Sequence, residues 1–439
     1  MTVLTLLVLF FLLIALGAPI AVALGASTVV TSMLFAPIPP AIIGQKIFAN
    51  LDHFSLMAVP FFFFAAAFME SGGLVSRLVR LANAMVGHWK GGLGVTSVLS
   101  CMFFAAISGS SPATVAAIGR IMFPALVKQG YSKDYAIGAI ATAGSIGILI
   151  PPSIPLILYG FVTETSITRL FIAGIVPGLL YGFGMMAMAR VLAGRLGYTP
   201  RPRASWGERL HAFRTSGPAL TLPLFIFVGI YGFPAFTVFG LQYSGGAIFT
   251  PTEAALIATV LALAIGLYVY REHDLRSIGR TIAETAPRVG MIFWIAANAI
   301  LFGFFVTSIG LPDQITQMIT TAHMPPWLFL LTVNLMLVVV GFFMEGVPVI
   351  LMFIPLLFPA AVALGIDPVH FGIIVVVNIE LGLITPPVGL NLFVGSSIAN
   401  MPVLRVFKAC LPWSLVTVIV LGVVTYVPEI SLFLPNLMK

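Results

Sequence analysis

The chain has 439 residues, 60% of them hydrophobic and only 8% charged, with a mean hydropathy of +1.11. A soluble domain carries about 25% charged residues, so a soluble fold of useful size is excluded and a polytopic membrane protein is implied. The formal charge of +7 is spread over short loops between apolar runs, which argues for orientation in a bilayer rather than nucleic-acid binding. Cys101 and Cys410, both in apolar surroundings, give neither a disulfide framework nor a cysteine metal site.

Apolar runs fall at about 2–16, 18–35, 52–70, 93–107, 113–127, 134–150, 154–164 and 171–194. The first, from Val3 to Leu16, lacks a basic lead and continues through Gly17-Ala18-Pro19 into the next, so it reads as mature structure rather than a signal peptide. A polar stretch, 195–217, precedes a second set at about 218–233, 251–270, 289–308, 327–343, 347–364, 369–385, 387–398 and 409–427. Several runs hold 11–17 residues, short of the ~20 that span a bilayer. These read as re-entrant hairpins or half-membrane helices, which persist at depth only inside protein or beside a cavity.

Residues 123–177 reappear at 358–412 with a constant offset of 235. Phe123-Pro124-Ala125 returns as Phe358-Pro359-Ala360, Gly147 as Gly382, Pro151-Pro152 as Pro386-Pro387 and Pro177 as Pro412. Repeats with matched interruptions are the mark of a secondary transporter whose site lies near the midplane.

Charge assigns sides. The stretch 195–217 holds Arg195, Arg201, Arg203, Arg209 and Arg214 against Glu208, which makes it a cytoplasmic linker. Loop 71–92 carries Arg77, Arg80 and Lys90, whereas its counterpart 309–326 carries Asp313 and no Lys or Arg. Conversely, 271–288 has four Arg where 36–51 has only Lys46. The bias flips between copies, so the repeats are inverted: 1–194 and 218–439 flank the linker. The same tally makes 93–127 a hairpin from the cytoplasmic side, turning at Ser108-Gly109-Ser110-Ser111-Pro112. It makes 327–364 a hairpin from the outer side, turning at Met344-Glu345-Gly346-Val347-Pro348.

A helix that stops in mid-membrane exposes carbonyls, and the next exposes amides; the former suit Na⁺ and the latter a carboxylate. At the first turn Ser111 is expected to cap the returning helix, with Pro112 at its first position. The breaks at Gly144–Pro152 and Gly382–Gly389 free carbonyls because proline donates no hydrogen bond. Thr385 offers a hydroxyl where its counterpart Ile150 does not. Buried charge is sparse: Glu380, Glu345 and Arg120 are functional candidates, with structural ion pairing or a contact with a partner subunit as the competing reading. Asn391 faces either the ligand or a neighbouring helix. Thr250-Pro251-Thr252-Glu253 reads as a capping box, which assigns Glu253 a structural role. The run Phe61–Phe64 reads as packing, and the chain has neither a zinc spacing nor a Walker A loop.

Four stretches resemble the large membrane subunit, DctM type, of tripartite ATP-independent periplasmic (TRAP) transporters. They are Ser108–Thr114, Gly147–Ser153, Gly245–Ala255 and Gly382–Asn391. The resemblance implies an all-α polytopic inner-membrane protein of the elevator type. In that reading the scaffold lies at about 1–70 and 218–308, with two re-entrant hairpins and two broken helices as the moving part. It implies Na⁺-driven, ATP-independent import of an organic anion such as a C4-dicarboxylate or a sialic acid. It also implies two partners, a periplasmic substrate-binding protein and a small four-helix membrane subunit, the latter expected on a separate chain. Carried over, one Na⁺ site involves Ser108, Ser110, Ser111 and Gly144, and a second involves Gly341, Gly382, Thr385 and Val388, largely through carbonyls. Candidate substrate contacts are Ser110, Pro112, Arg120, Pro152, Pro387 and Asn391. The competing classes are a stand-alone Na⁺/carboxylate symporter, a channel, which has no need of paired hairpins, and a membrane enzyme, for which a catalytic constellation is missing.

Overall fold

In a computed structural model of the chain, residues 1–36, 38–200, 202–232, 236–238, 241–243 and 246–438 are described. Arg201 of the linker and Gly245, which opens one of the family-like stretches, lie outside the described residues. The first half runs α1 (Thr2–Ala15), α2 (Ile20–Phe35), α3 (Pro40–Leu51), α4 (Ala58–Ser71), α5 (Leu74–Val86), α6 (Gly92–Ser108), α7 (Ser111–Lys128), α8 (Lys133–Ala143), α9 (Ile154–Thr163) and α10 (Ile167–Arg195). Next come α11 (Trp206–Tyr231), a two-stranded ribbon of β1 (Phe236–Val238) and β2 (Leu241–Tyr243), and α12 (Pro251–Ala264). The rest is α13 (Leu275–Ser308), α14 (Leu311–Thr321), α15 (Pro326–Gly341), α16 (Gly346–Ala363), α17 (Pro368–Leu383), α18 (Leu390–Ala399), α19 (Val403–Tyr426) and α20 (Pro428–Leu437).

Among the described residues the regular structure is helical except for that ribbon, which pairs antiparallel with Phe236 opposite Tyr243. Among the described residues, seven helices are long and apolar enough to cross a membrane, and α6, α9, α15, α17 and α18 are shorter apolar helices. The short runs seen in sequence are therefore short helices. Both expected hairpins form, α6–α7 and α15–α16, and both expected helix breaks form, α8–α9 and α17–α18. The order from α4 to α10 recurs from α13 to α19: long helix, amphipathic helix, hairpin, broken helix, long helix. Packing is reciprocal: α9 lies on α16 and α18 on α7, while α8 lies on α19 and α17 on α10.

Four stretches read as loops or polar linker contain helix. α3, α5 and α14 occupy the segments 36–51, 71–92 and 309–326, and α11 starts at Trp206 inside the polar stretch. Amphipathic helices hold too many polar residues to register as apolar runs. In α5, Leu74, Val75, Leu78, Val79 and Ala82 are buried while Arg80 is exposed. The start of α11 is fixed by a capping box, with Ser205 Oγ accepting Glu208 N and Glu208 Oε2 accepting Ser205 N at 2.7 Å. The expected box at Thr250 forms in the same way.

Candidate functional site

The first hairpin reverses at Gly109, whose φ of 57° is the left-handed region that glycine tolerates. A Cβ there would also stand 2.9 Å from the Pro152 carbonyl oxygen. Ser108 Oγ lies 2.9 Å from Thr114 Oγ1, which donates to the Ser110 carbonyl at 2.9 Å. Three oxygens thus gather in one turn. The N-cap of α7 is Ser110, not Ser111, and it makes no side-chain capping bond. Ser111 begins the helix, and its hydroxyl accepts instead from Asn391 Nδ2 at 2.7 Å.

The first break is a tight 3-10 turn, Gly144–Ile148. A side chain on Gly144 would overlap Val115 of α7, and one on Gly147 would lie 2.8 Å from Ser110 O. These two glycines therefore let the break press against the hairpin turn. Ser153 caps α9, accepting from Leu156 N and donating to Ile148 O. Ile154 N reaches Gly109 O at 3.3 Å. The predicted set Ser108, Ser110, Ser111 and Gly144 is brought together.

The second break joins its hairpin through backbone. A Cβ on Gly382 would lie 2.8 Å from Gly341 Cα and 3.0 Å from Gly341 O. Val388 N donates to Phe342 O at 2.9 Å, and Thr385 N to Gly382 O at 3.1 Å. Thr385 Oγ1 donates to Leu381 O at 2.7 Å, leaving lone pairs on the hydroxyl oxygen. Gly341, Gly382, Thr385 and Val388 thus lie at one junction, held by main-chain contacts.

The two hairpin tips meet. Gly109–Pro112 from one and Glu345–Val347 from the other line a single cavity of about 30 Å³, walled by Ile148 and Ile379. That volume holds a few waters at most. Ser110 and Pro112 line it; the other four proposed substrate contacts do not. Pro152 is buried behind Gly109 and Pro387 is exposed at the second break. Asn391 is fully buried, and its amide also donates to Ser145 Oγ at 3.1 Å and Ala141 O at 3.3 Å. It clamps the first break to the second half. Arg120 pairs with Glu70 at 2.6 Å, beside a separate polar cavity of about 280 Å³ that also holds Glu284 and Arg288.

Glu380 is completely buried beside Ser145 and Ile148. Neither carboxyl oxygen makes a hydrogen bond of good geometry, nor does Asn391 Oδ1. Among the described residues the ion pairs are Arg77–Glu272, Arg120–Glu70 and Arg405–Asp134, so none neutralises Glu380. Sequence reading missed Thr114, Ser145 and Ser153 as individual participants. It also missed the ladder in which Asn378 donates to Asn334, and Asn334 to Thr425, at 2.9 Å each. The available signal was small polar residues inside otherwise apolar helices. The assembly offers an oxygen cluster for a bare cation, and the N-termini of α7 and α16 flank one cavity, as an anion needs.

The profile of the family described as "Tripartite ATP-independent periplasmic transporter, DctM component" matches residues 7–430. The chain is 45% identical over 413 residues to the C4-dicarboxylate TRAP transporter large permease protein DctM of Pseudomonas aeruginosa, covering 94% of this chain and 93% of that one. It is 34% identical to the sialic acid TRAP transporter large permease protein SiaM of Vibrio cholerae, covering 90% and 89%. Its fold is similar to that of the Alcanivorax borkumensis YdaH transporter, with a TM-score of 0.63 at 16% identity over 88% of this chain and 87% of that one.

Proposed function

The chain belongs to the DctM component family of tripartite ATP-independent periplasmic transporters, as a large permease of the bacterial inner membrane, and from that premise we propose that it imports a C4-dicarboxylate driven by Na⁺. The observation that carries this reading is the meeting of both hairpin tips at one cavity, with the Ser108, Ser110 and Thr114 oxygens gathered at one of them. Dicarboxylate is favoured over sialic acid because identity is 45% to the DctM relative and 34% to the SiaM relative. One carboxylate would be held by the amides that open α7, near Ser110 and Pro112; Glu345 at the other tip biases the anion toward that side. One Na⁺ would use Ser108, the Ser110 carbonyl and Ser111 near Gly144. The second would use Thr385 with the carbonyls of the Gly341, Gly382 and Val388 region. The assembly would include a periplasmic binding protein that delivers substrate and a small membrane subunit of about four helices.

The movement would be an elevator between inverted repeats, with the hairpins and broken helices sliding against α1–α4 and α11–α13. In this frame Glu70 belongs to the scaffold and Arg120 to the moving part, so their ion pair breaks and reforms in each cycle. The test is uptake of labelled succinate into proteoliposomes holding the chain and its small-subunit partner. An inward Na⁺ gradient is imposed, with and without the binding protein outside. Uptake requiring both supports the reading. Uptake that requires Na⁺ but no binding protein points to a stand-alone symporter, and uptake indifferent to Na⁺ removes the ion sites.

A further inference from the structure

The segment joining the two halves folds back over α5. Residues 202–204, the first turns of α11 and the end of α5 enclose a cavity of about 540 Å³. Its wall carries Arg80, His88, Arg203 and His211 against one carboxylate, that of Glu208. The carboxylate is already engaged, because it caps α11 through Ser205 N. Arg209 is not part of that wall: its guanidinium lies 5.6 Å from the Trp206 ring centre. His88 Nδ1 is buried and unpartnered. The imidazole of His88 is held below its ordinary range by burial and by the charges of Arg203 and Arg209. An unpaired buried polar atom of this kind calls for a partner, and two guanidinium groups against one engaged carboxylate call for an anion with several oxygens.

The depth of the cavity selects the source of that anion. Trp206, Leu210 and Phe213, spaced i, i+4, i+7, form one exposed face of α11, at 82%, 52% and 58% exposure. Glu208, His211, Ala212 and Thr215 form the opposite face and line the cavity. An exposed Trp-Leu-Phe stripe seats a helix at the boundary between headgroups and acyl chains. The basic cavity across the helix then stands at headgroup level, where anionic lipid is concentrated. We propose that this cavity binds the phosphate of an anionic phospholipid headgroup, with Arg80 and Arg203 as its cationic partners. A lipid held there staples the inter-repeat segment to α5.

The test uses the full chain with its small subunit in detergent and follows thermal unfolding during titration with phosphatidylglycerol, phosphatidylcholine or inorganic phosphate. Phosphatidylglycerol is expected to raise Tm saturably, phosphatidylcholine to have no effect, and inorganic phosphate to act only at about 100-fold higher concentration. Arg80→Gln with Arg203→Gln is expected to raise the half-saturating phosphatidylglycerol concentration about tenfold. Arg276→Gln with Arg280→Gln, which removes exposed charge at the start of α13, is expected to leave it unchanged. Equal effects of the two double variants, or of the two lipids, would overturn the site, and free phosphate acting as strongly as the lipid would overturn the lipid source. Should the first double variant fold poorly, Arg203→Gln alone, in an exposed loop, is compared with the wild type for co-purified phosphatidylglycerol by native mass spectrometry. Undiminished retention counts against the proposal.

Discussion

The two helix breaks share a Gly/Pro scheme and differ in what holds them. Every residue from Gly144 to Ser153 is buried, whereas Thr385 and Pro386 are half-buried and Pro387 and Val388 are exposed. The first break is tied by side chains from both halves of the chain: Ser153 to Ile148 O, and Asn391 to Ser145, Ser111 and Ala141. The second is tied by the backbone of its own half, through the Gly341–Gly382 approach and Val388 N to Phe342 O. The punctuation interrupts both helices alike because proline removes the same donors. How firmly each break is held depends on residues that the repeat does not share: Asn391 corresponds to Leu156 and Ser153 to Val388.

If backbone contact is the main lock of the second break, Gly382→Ala should cause the largest damage of any conservative change within that break. The new Cβ would press on Gly341 Cα and O, and backbone cannot swing aside as a side chain can. Overpacking of this kind costs about 1–3 kcal/mol. Thermal unfolding of the purified chain should show it, and Na⁺-dependent uptake should be lost. Gly144→Ala should do comparable damage to the first break, since its Cβ would overlap Cγ2 and stand 3.1 Å from the backbone N of Val115, a buried β-branched residue with little rotamer freedom in a helix. An unmoved Tm for Gly382→Ala would show that the second break has slack that this comparison denies it.

The next effect is on Asn391, which belongs to the second break but holds the first. Asn391→Leu leaves the Ser111 and Ser145 hydroxyls and the Ala141 carbonyl without their shared donor, at about 2 kcal/mol. The loosening should appear at the far end of the bond, in the first break. With the buried Cys101 and Cys410 as background, Leu149→Cys should resist a polar thiol reagent while Val388→Cys reacts readily. Adding Asn391→Leu should expose Leu149→Cys without changing Val388→Cys. Protection at both positions would mean that the second break is sealed too. Ser153→Ala comes third, at about 1 kcal/mol for a lost N-cap. No counterpart loss is expected at Val388→Ala, because the N-cap of α18 is Gly389, which has no side chain to cap with.

The hairpins and broken helices were legible because hydropathy and turn residues are properties of segments. Runs too short to span a bilayer became hairpin arms and half-helices. What escaped depended on single contacts between distant segments. Asn391 was open between ligand and packing until Ser111, 280 positions away, supplied an acceptor. Arg120 read as a midmembrane charge, and only the fold brings Glu70 against it. Serine in a turn also signals a cap without saying which serine: Ser110 takes the N-cap position, and Ser111 serves a partner from the other half.

Thr385→Ala is the smallest change in stability and the sharpest on ions. Its hydroxyl donates only to Leu381 O, one turn back on the same helix, so its loss should cost a few tenths of a kcal/mol and barely move Tm. The oxygen keeps lone pairs free at a half-buried site beside the carbonyls of the second break, where a bare cation needs ligands. The Na⁺ concentration giving half-maximal uptake should therefore rise about tenfold, equivalent to about 1.4 kcal/mol of lost cation binding. Thr385→Ser should restore it and Thr385→Val should not, because only serine keeps the oxygen. Ser111→Ala should shift Na⁺ dependence too, but together with a loss of Tm, since it also strips Asn391 of an acceptor. Unchanged Na⁺ dependence in both alanine variants would remove these hydroxyls from the coupling mechanism, and a Tm loss at Thr385→Ala as large as at Ser111→Ala would show that the second break relies on side chains after all.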